Sequence, residues 1–287
     1  MKTTILFMAA AGCVASLMAQ PAEPPAVLEI LHETIKEGKA AAHTKSEQAE
    51  ANVFRKNKFS FHYLGLNSMS GPNEVVFLAA YPSFAGVEKS FAESDKQPLK
   101  GELEQADALD GEYRVSNRSM IAAFRKDLSY MPENSVSIGK TRYMMLLTYR
   151  LKIGKVFDFE NGAKMIIGAY NKAKLDSAVI TYQGVAGGQE GAYYFLIPMA
   201  SLKSMDDEPA RQKALMDAMG GPENFQQFVK GSGEVFTSME SQLYAVSPEM
   251  SYVSKATEDE DPAFWRPKSA ARAEKPKEEK PKEKTTP

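Results

Sequence analysis

The chain has 287 residues, 43% hydrophobic and 25% charged, with 35 Lys plus Arg against 37 Asp plus Glu and a net charge of −2. That composition excludes collagen-like and wholly disordered chains, and without a basic domain it argues against nucleic acid as a partner. One cysteine excludes an internal disulfide. Three histidines, at 32, 43 and 62, leave little from which to build a His-based metal centre.

Lys2 precedes an apolar stretch from Ile5 to Ala19, after which Gln20, Pro21, Pro24 and Pro25 turn the chain polar. This pattern reads as a signal peptide over residues 1–20, and it makes the mature protein secreted or periplasmic. The stretch is short for a membrane span, which needs about 20 apolar residues. Cys13, after Ala10-Ala11-Gly12, offers a lipoprotein anchor as the weaker alternative.

An internal repeat organises the chain beyond residue 26. Ile35-Lys36-Glu37-Gly38-Lys39 returns as Leu151-Lys152-Ile153-Gly154-Lys155, an offset of 116. Val75-Val76-Phe77-Leu78 returns as Tyr193-Tyr194-Phe195-Leu196, and Tyr63-Leu64-Gly65 as Tyr182-Gln183-Gly184. Each half starts with an apolar strand, Val27–Ile35 or Tyr143–Leu151, broken by Gly and succeeded by a helix, Lys39–Lys56 or Lys155–Lys174. A second strand, Phe59–Leu66 or Ala178–Val185, leads through a glycine-containing turn to a third, Glu74–Tyr81 or Ala192–Met199. A broken helical region, Phe84–Tyr113 or Pro209–Lys230, leads to a fourth strand, Ser119–Tyr130 or Val235–Val246. The order βαββαβ is the ferredoxin-like arrangement.

Both faces of each opening strand are largely apolar, so each sheet needs cover on two sides. The fold class expected is therefore α+β: two ferredoxin-like repeats, residues 26–135 and 141–255, packed sheet to sheet as an intramolecular α+β barrel with helices outside. Trp265 comes after the acidic run Glu258-Asp259-Glu260-Asp261 and is expected to pack back on the fold. Residues 266–287 hold eight basic and four acidic residues and almost nothing apolar, so they should form a disordered tail. The tail's +4, set aside together with Lys2, leaves 21–265 at −7. Such a tail suits a weak contact with an anionic envelope surface.

The strand Glu29-Ile30-Leu31-His32-Glu33, its counterpart Met145-Leu146-Leu147-Thr148-Tyr149, and the Lys-x-Gly-Lys after each resemble the dimeric α+β barrel superfamily. Within it they are most similar to NIPSNAP and antibiotic-biosynthesis-monooxygenase-type domains. Glu37 and Ile153 stand where those domains carry Pro. The resemblance implies pairing of two such units, here within one chain, and cofactor-free monooxygenase or isomerase chemistry. Haem-binding relatives use a cavity His, and the second half has none, so no haem is expected.

The same strands supply the candidate site residues. Glu29, Glu33 and Tyr149 share a strand face and are expected to point into the space between the sheets, where a carboxylate would have a raised pKa and act as general base. His62, Tyr63 and Tyr182 join them as pocket candidates, with Glu29 and His62 the catalytic candidates. His32 and His62 are separated by an intervening strand, about 9.5 Å, too far for one metal ion; His43, on the helix, is expected to face solvent. Neither a metal nor another cofactor is expected. The function reads as binding of a small apolar or aromatic molecule between the two sheets. A cofactor-free monooxygenase or isomerase is the catalytic alternative, and a non-catalytic envelope protein with a filled barrel is the third. A monomeric pseudo-dimer or a homodimer would satisfy the pattern.

Overall fold

The computed structural model describes residues 23–266; the signal-peptide and Cys13 expectations, and nearly all of the tail, lie outside the described residues. The first half runs β1 (Val27–Ile35), α1 (Ala40–Asn57), β2 (His62–Ser68), β3 (Glu74–Tyr81), α2 (Phe84–Ser94), α3 (Leu99–Asp110) and β4 (Arg114–Phe124). The second runs β5 (Tyr143–Leu151), α4 (Val156–Ala173), β6 (Ile180–Ala186), β7 (Ala192–Met199), α5 (Glu208–Ala218), α6 (Pro222–Ser232) and β8 (Phe236–Tyr252). Two short helices, α7 (Lys255–Glu260) and α8 (Pro262–Trp265), end the described chain.

The halves match in their local devices. Gly38 and Gly154 take positive φ, 71° and 81°, at the step from strand to helix, a conformation that favours glycine. Lys58 and Lys174 end α1 and α4 in the left-handed region, at φ 53° and 52°. Both pairs are offset by 116, so strand, turn and helix are copied residue for residue.

The strands close a barrel in the order β1-β3-β2-β8-β5-β7-β6-β4. Each half supplies a four-stranded antiparallel sheet, and the β2–β8 and β4–β6 pairs join the two. At the first seam Gly65 lies so close to Met250 that an added Cβ would meet its backbone oxygen at 2.9 Å. Each strand has one face inside the barrel and one beneath helices. Leu28, Ile30, Met144 and Leu146 point inward with Leu66, Met120, Tyr182, Tyr194 and Tyr244, each such side chain contributing roughly 1.5–3 kcal/mol by its burial. Trp265 packs on this cluster and donates from Nε1 to the Gly139 carbonyl at 2.9 Å. The opposite faces, carrying Val27, Leu31, Ile35, Leu147 and Leu151, lie under the helices.

β1, β3, β5 and β7 begin and end where the sequence places them. The fourth strand of the first half starts at Arg114 rather than Ser119. Arg114–Arg118 is mostly exposed and has no apolar alternation; its extended form comes from the ladder with β1, such as Glu33 opposite Asn117. β8 extends to Tyr252 because its second part pairs across the seam with β2. Among the described residues no helix is long and apolar enough to cross a membrane.

Candidate functional site

A cavity of about 190 Å³ lies between the outer face of the first sheet and helices α1 and α2. Its walls are aromatic: Phe54 from α1, Phe59 and Phe61 from the segment after it, and Tyr63, Phe77 and Tyr81 from β2 and β3. Phe54 and Phe59 approach to 4.9 Å between ring centres, and Phe61 and Tyr81 to 5.5 Å. Against these rings stand four carboxylates, Glu29 and Glu33 from β1 and Glu47 and Glu50 from α1. The α1 residues occupy one helical face because 43, 47, 50 and 54 keep the i, i+4, i+7, i+11 spacing.

The acidic side continues into a buried ionic cluster. His43 is fully buried, and its Nε2 lies 3.0 Å from Glu33 Oε2, 3.6 Å from Asp110 Oδ1 and 3.8 Å from Glu47 Oε1. Arg114, at the start of β4, donates from Nη1 to Glu33 Oε1 at 2.5 Å, pairs from Nε with Asp110 Oδ2 at 2.9 Å, and reaches Asp107 as well. Ser46 donates to Asp110 Oδ1 at 2.5 Å. Burial, with Glu50, Glu33 and Asp110 close by, pushes the Glu47 carboxyl up to about 10. The same causes, burial first and then Glu33, bring Glu50 to about 7. The Tyr63 hydroxyl is buried without a hydrogen-bond partner among the described residues, and burial beside Glu50 and Glu47 holds its pKa well above the phenol value. Glu29 is differently placed: it accepts from Tyr81 Oη at 3.1 Å and from Ser119 Oγ at 2.5 Å.

No protein-family model matches the sequence, and no curated protein does. Solved structures match in fold. A protein assigned as a monooxygenase from Fusobacterium nucleatum subsp. nucleatum aligns with a TM-score of 0.52 at 8% identity, over 78% of this chain and 93% of that one. An anthrone oxidase-like protein aligns with a TM-score of 0.52 at 13% identity, over 79% of this chain and 93% of that one. The chain shares with these structures a closed eight-stranded α+β barrel fold. At these identities the likeness speaks to architecture, and the chemistry has to come from the residues.

In this α+β barrel four of the sequence-derived candidates meet. Glu29, Glu33, His62 and Tyr63 all line the cavity. Its location differs from the expectation. The face of β1 that carries Glu29 and Glu33 looks at the helices, not at the other sheet, and the inward side chains of the main apolar cluster occupy the space between the sheets. With both faces apolar, period-two alternation could show two-sided burial but could not say which side was the barrel. Tyr149 shares the helix side in the second half, packed on Phe195 at 5.0 Å and Phe236 at 5.2 Å. Tyr182 is in the barrel interior, so it and Tyr63 face opposite ways and are not equivalent positions. The equivalent of Tyr63 is Val179: Tyr63 stands opposite Ala79, and β6 places Ile180 opposite Leu196. His62 is half-buried at the cavity wall and stacks on Tyr252 at 4.9 Å; burial lowers its pKa. His32 faces the barrel interior and pairs with Glu74 at 3.2 Å.

The expectation that His43 faces solvent is wrong: α1 turns it onto β1. Sequence reasoning also missed Glu47, Glu50, Asp110 and Arg114. The stripe His43, Glu47, Glu50, Phe54 matches Phe159, Ala163, Ile166, Tyr170 at the repeat offset of 116, and that apolar counterpart was the signal that the stripe is buried.

Proposed function

We propose that the cavity binds a small aromatic or apolar molecule of about one ring, carrying a hydroxyl or amine that turns toward Glu47 and Glu50. The observation that carries the reading is the joining of aromatic walls to the carboxyl groups of Glu47 and Glu50 in one 190 Å³ space. An apolar cavity of about 150 Å³ is known to accept benzene, so a single ring sets the scale. The aromatic faces favour a ring or an amine, and the carboxylates fix its polar end. Filling the space with Ala79→Leu is expected to weaken binding of single-ring aromatics by calorimetry. Unchanged affinity across a panel of phenols and arylamines would overturn the reading.

A second reading is catalytic, and Glu50 favours it. A carboxyl brought to about 7 beside an aromatic pocket is poised as a general base near neutral pH. It would take a proton from an activated C–H or O–H, a step that suits the monooxygenase or isomerase chemistry implied by the opening-strand resemblance; the names of the structural neighbours carry the words monooxygenase and anthrone oxidase-like. Deuterium wash-in at an acidic C–H of a bound substrate should vanish in Glu50→Gln while binding persists. The closer kinship to NIPSNAP-type domains belongs to this proposal and rests on the opening-strand residues. So does export to the periplasm or beyond, supported by the 1–20 pattern; mass spectrometry of the mature N-terminus tests it.

A further inference from the structure

Glu33, His43, Glu47 and Asp110 form an assembly that the binding of an organic ligand does not explain. One donor atom from each lies within 4.8 Å of all the others. Ligand atoms sharing a first-row metal ion at about 2.0–2.2 Å are spaced by roughly 3 Å when adjacent and roughly 4.2 Å when opposed. The separations of 3.0, 3.6 and 3.8 Å from His43 Nε2 fall in that interval.

Three features separate this from an ordinary ion-pair network. Glu47 is 5% exposed, makes no hydrogen bond to any described residue, and turns Oε1 toward His43 Nε2. A buried carboxylate in that position needs a proton or a cation. Arg114 bonds Glu33 through Oε1 and lies 2.9 Å from Asp110 Oδ2 without a hydrogen bond to it, so Glu33 Oε2 and Asp110 Oδ1 face the imidazole, the latter also accepting from Ser46. That is how outer partners orient ligands. His43 Nδ1 is buried without a partner among the described residues, so the imidazole is engaged only through Nε2, the nitrogen that faces all three carboxylates.

The second half supplies an internal control. Ile35 stands opposite Arg114 in the β1–β4 ladder, and Leu151 stands opposite Phe236 in the β5–β8 ladder. The equivalents of Glu33, His43, Glu47, Asp110 and Arg114 are thus Tyr149, Phe159, Ala163, Ser232 and Phe236. Tyr149, Phe159 and Phe236 form an aromatic cluster with Ala163 packed on it, Phe159 and Phe236 at 5.9 Å and Tyr149 and Phe236 at 5.2 Å, and Ser232 bonds back to the Phe228 carbonyl of its own helix. The fold is satisfied at these five positions without a charged side chain. Charges there cost desolvation that the architecture does not require.

We propose that Glu33, His43, Glu47 and Asp110 bind one divalent first-row transition cation, with Arg114 as a positioning residue and the remaining coordination open toward the cavity. One imidazole with three carboxylates suits Mn²⁺, Fe²⁺ or Zn²⁺ better than the all-oxygen shells of Ca²⁺ and Mg²⁺. Glu33 and Glu47 line the cavity as well as the cluster, so an ion there adjoins any bound molecule.

The experiment uses the mature chain, stripped with chelator, and the metal alone. Calorimetry with Zn²⁺ and with Mn²⁺ should give one equivalent per chain, lost in His43→Phe and in Glu47→Ala, the residues the second half already tolerates. Anomalous diffraction from wild-type crystals soaked in Mn²⁺ should place the ion among the four side chains, and this arm needs no variant to fold. No binding by the wild type, retention in both variants, or an ion located elsewhere would each overturn the proposal. The stripped protein can still bind an aromatic ligand, so the two readings fail separately.

Discussion

The two halves of the barrel share a backbone and differ in what fills the layer between sheet and helix. In the second half that layer is rings: Phe159 lies 4.4 Å from Tyr193, and Phe195 and Phe236 complete the cluster with Tyr149. In the first half the matching volume holds an imidazole, carboxylates and a guanidinium beside a cavity. Helix packing on a ferredoxin-like sheet therefore does not dictate the chemistry of this layer. One copy uses it for stability, and the other gives up packing density to hold charge and space. Buried ion pairs are on average no better than apolar residues of similar volume, which is why the contrast points to a site rather than to a different solution for folding.

The largest expected effect comes from removing the cluster's cation. Arg114→Ala leaves Glu33 and Asp110 facing each other without their partner. Breaking a buried pair from one side costs about 3–5 kcal/mol, read as a lower urea midpoint. Converting all five positions to their second-half counterparts, Glu33→Tyr, His43→Phe, Glu47→Ala, Asp110→Ser and Arg114→Phe, should restore stability to the wild-type level or above. If the five-fold variant unfolds as readily as Arg114→Ala, the halves are not interchangeable at this layer and the internal control fails.

The reverse transplant is next in size. Phe159→His places an imidazole among rings with no carboxylate on the facing strand position, which is Tyr149. Lost packing and an unpaired polar ring should together cost about 3 kcal/mol. A cost below about 1 kcal/mol would mean that the second-half layer tolerates polarity, and the contrast would lose its force.

How much of this was legible in the sequence depends on the element. β1, β3, β5 and β7 are runs of apolar residues bounded by Gly or Pro, and local pattern finds them. The 116-residue offset by itself leads to two ferredoxin-like sheets. The pocket was harder, because Glu29 and Glu33 alternate with apolar residues on both sides and the sequence cannot say which face meets the helices. His43 and Glu47 look like solvent-facing residues on a polar helix; only the stripe Phe159, Ala163, Ile166 at the same offset exposes them as core positions. Asp110 and Arg114 come from a helix end and a polar strand start, and only long-range pairing brings them to β1. Tyr63 and Tyr182 carried a false match of motif that was out of register by three, and a shift by an odd number moves a side chain to the other face.

Two sets of carboxyl groups should answer pH in opposite directions. Glu50 has a folded-state pKa of about 7 against an ordinary 4.5, so it favours folding fully below 4.5 and loses that contribution as pH rises through 7. Just after β4, Arg125 holds Asp127 and the α4 residue Glu160 below their ordinary values, and their contribution is present above those values and is lost as pH falls. Urea midpoints from pH 3 to 8 should show both limbs. Glu50→Gln should make the upper one shallower, Glu47, raised to about 10, supplying the rest, and Arg125→Met, which removes the partner of Asp127 and Glu160, should flatten the lower. An upper limb unchanged by Glu50→Gln would place its origin elsewhere.

The smallest effect tests whether the helices over the two layers are held alike. Lys56 and Lys172 are equivalent and point to the next helical region, but Lys56 binds the Glu102 carboxylate at 2.6 Å and Lys172 the Ala218 carbonyl at 3.1 Å. Both lysines are exposed, and exposed pairs contribute about 0–1 kcal/mol. Lys56→Ala and Lys172→Ala should therefore each lower stability by less than about 1 kcal/mol, the former fading with added salt because a full charge pair is screened. A larger loss from Lys56→Ala alone would have a specific meaning. Glu102 and Asp110 lie on the same helix, α3, so the clamp would then be setting the position of Asp110 against His43, and the stability of the ionic layer would depend on a contact at its surface.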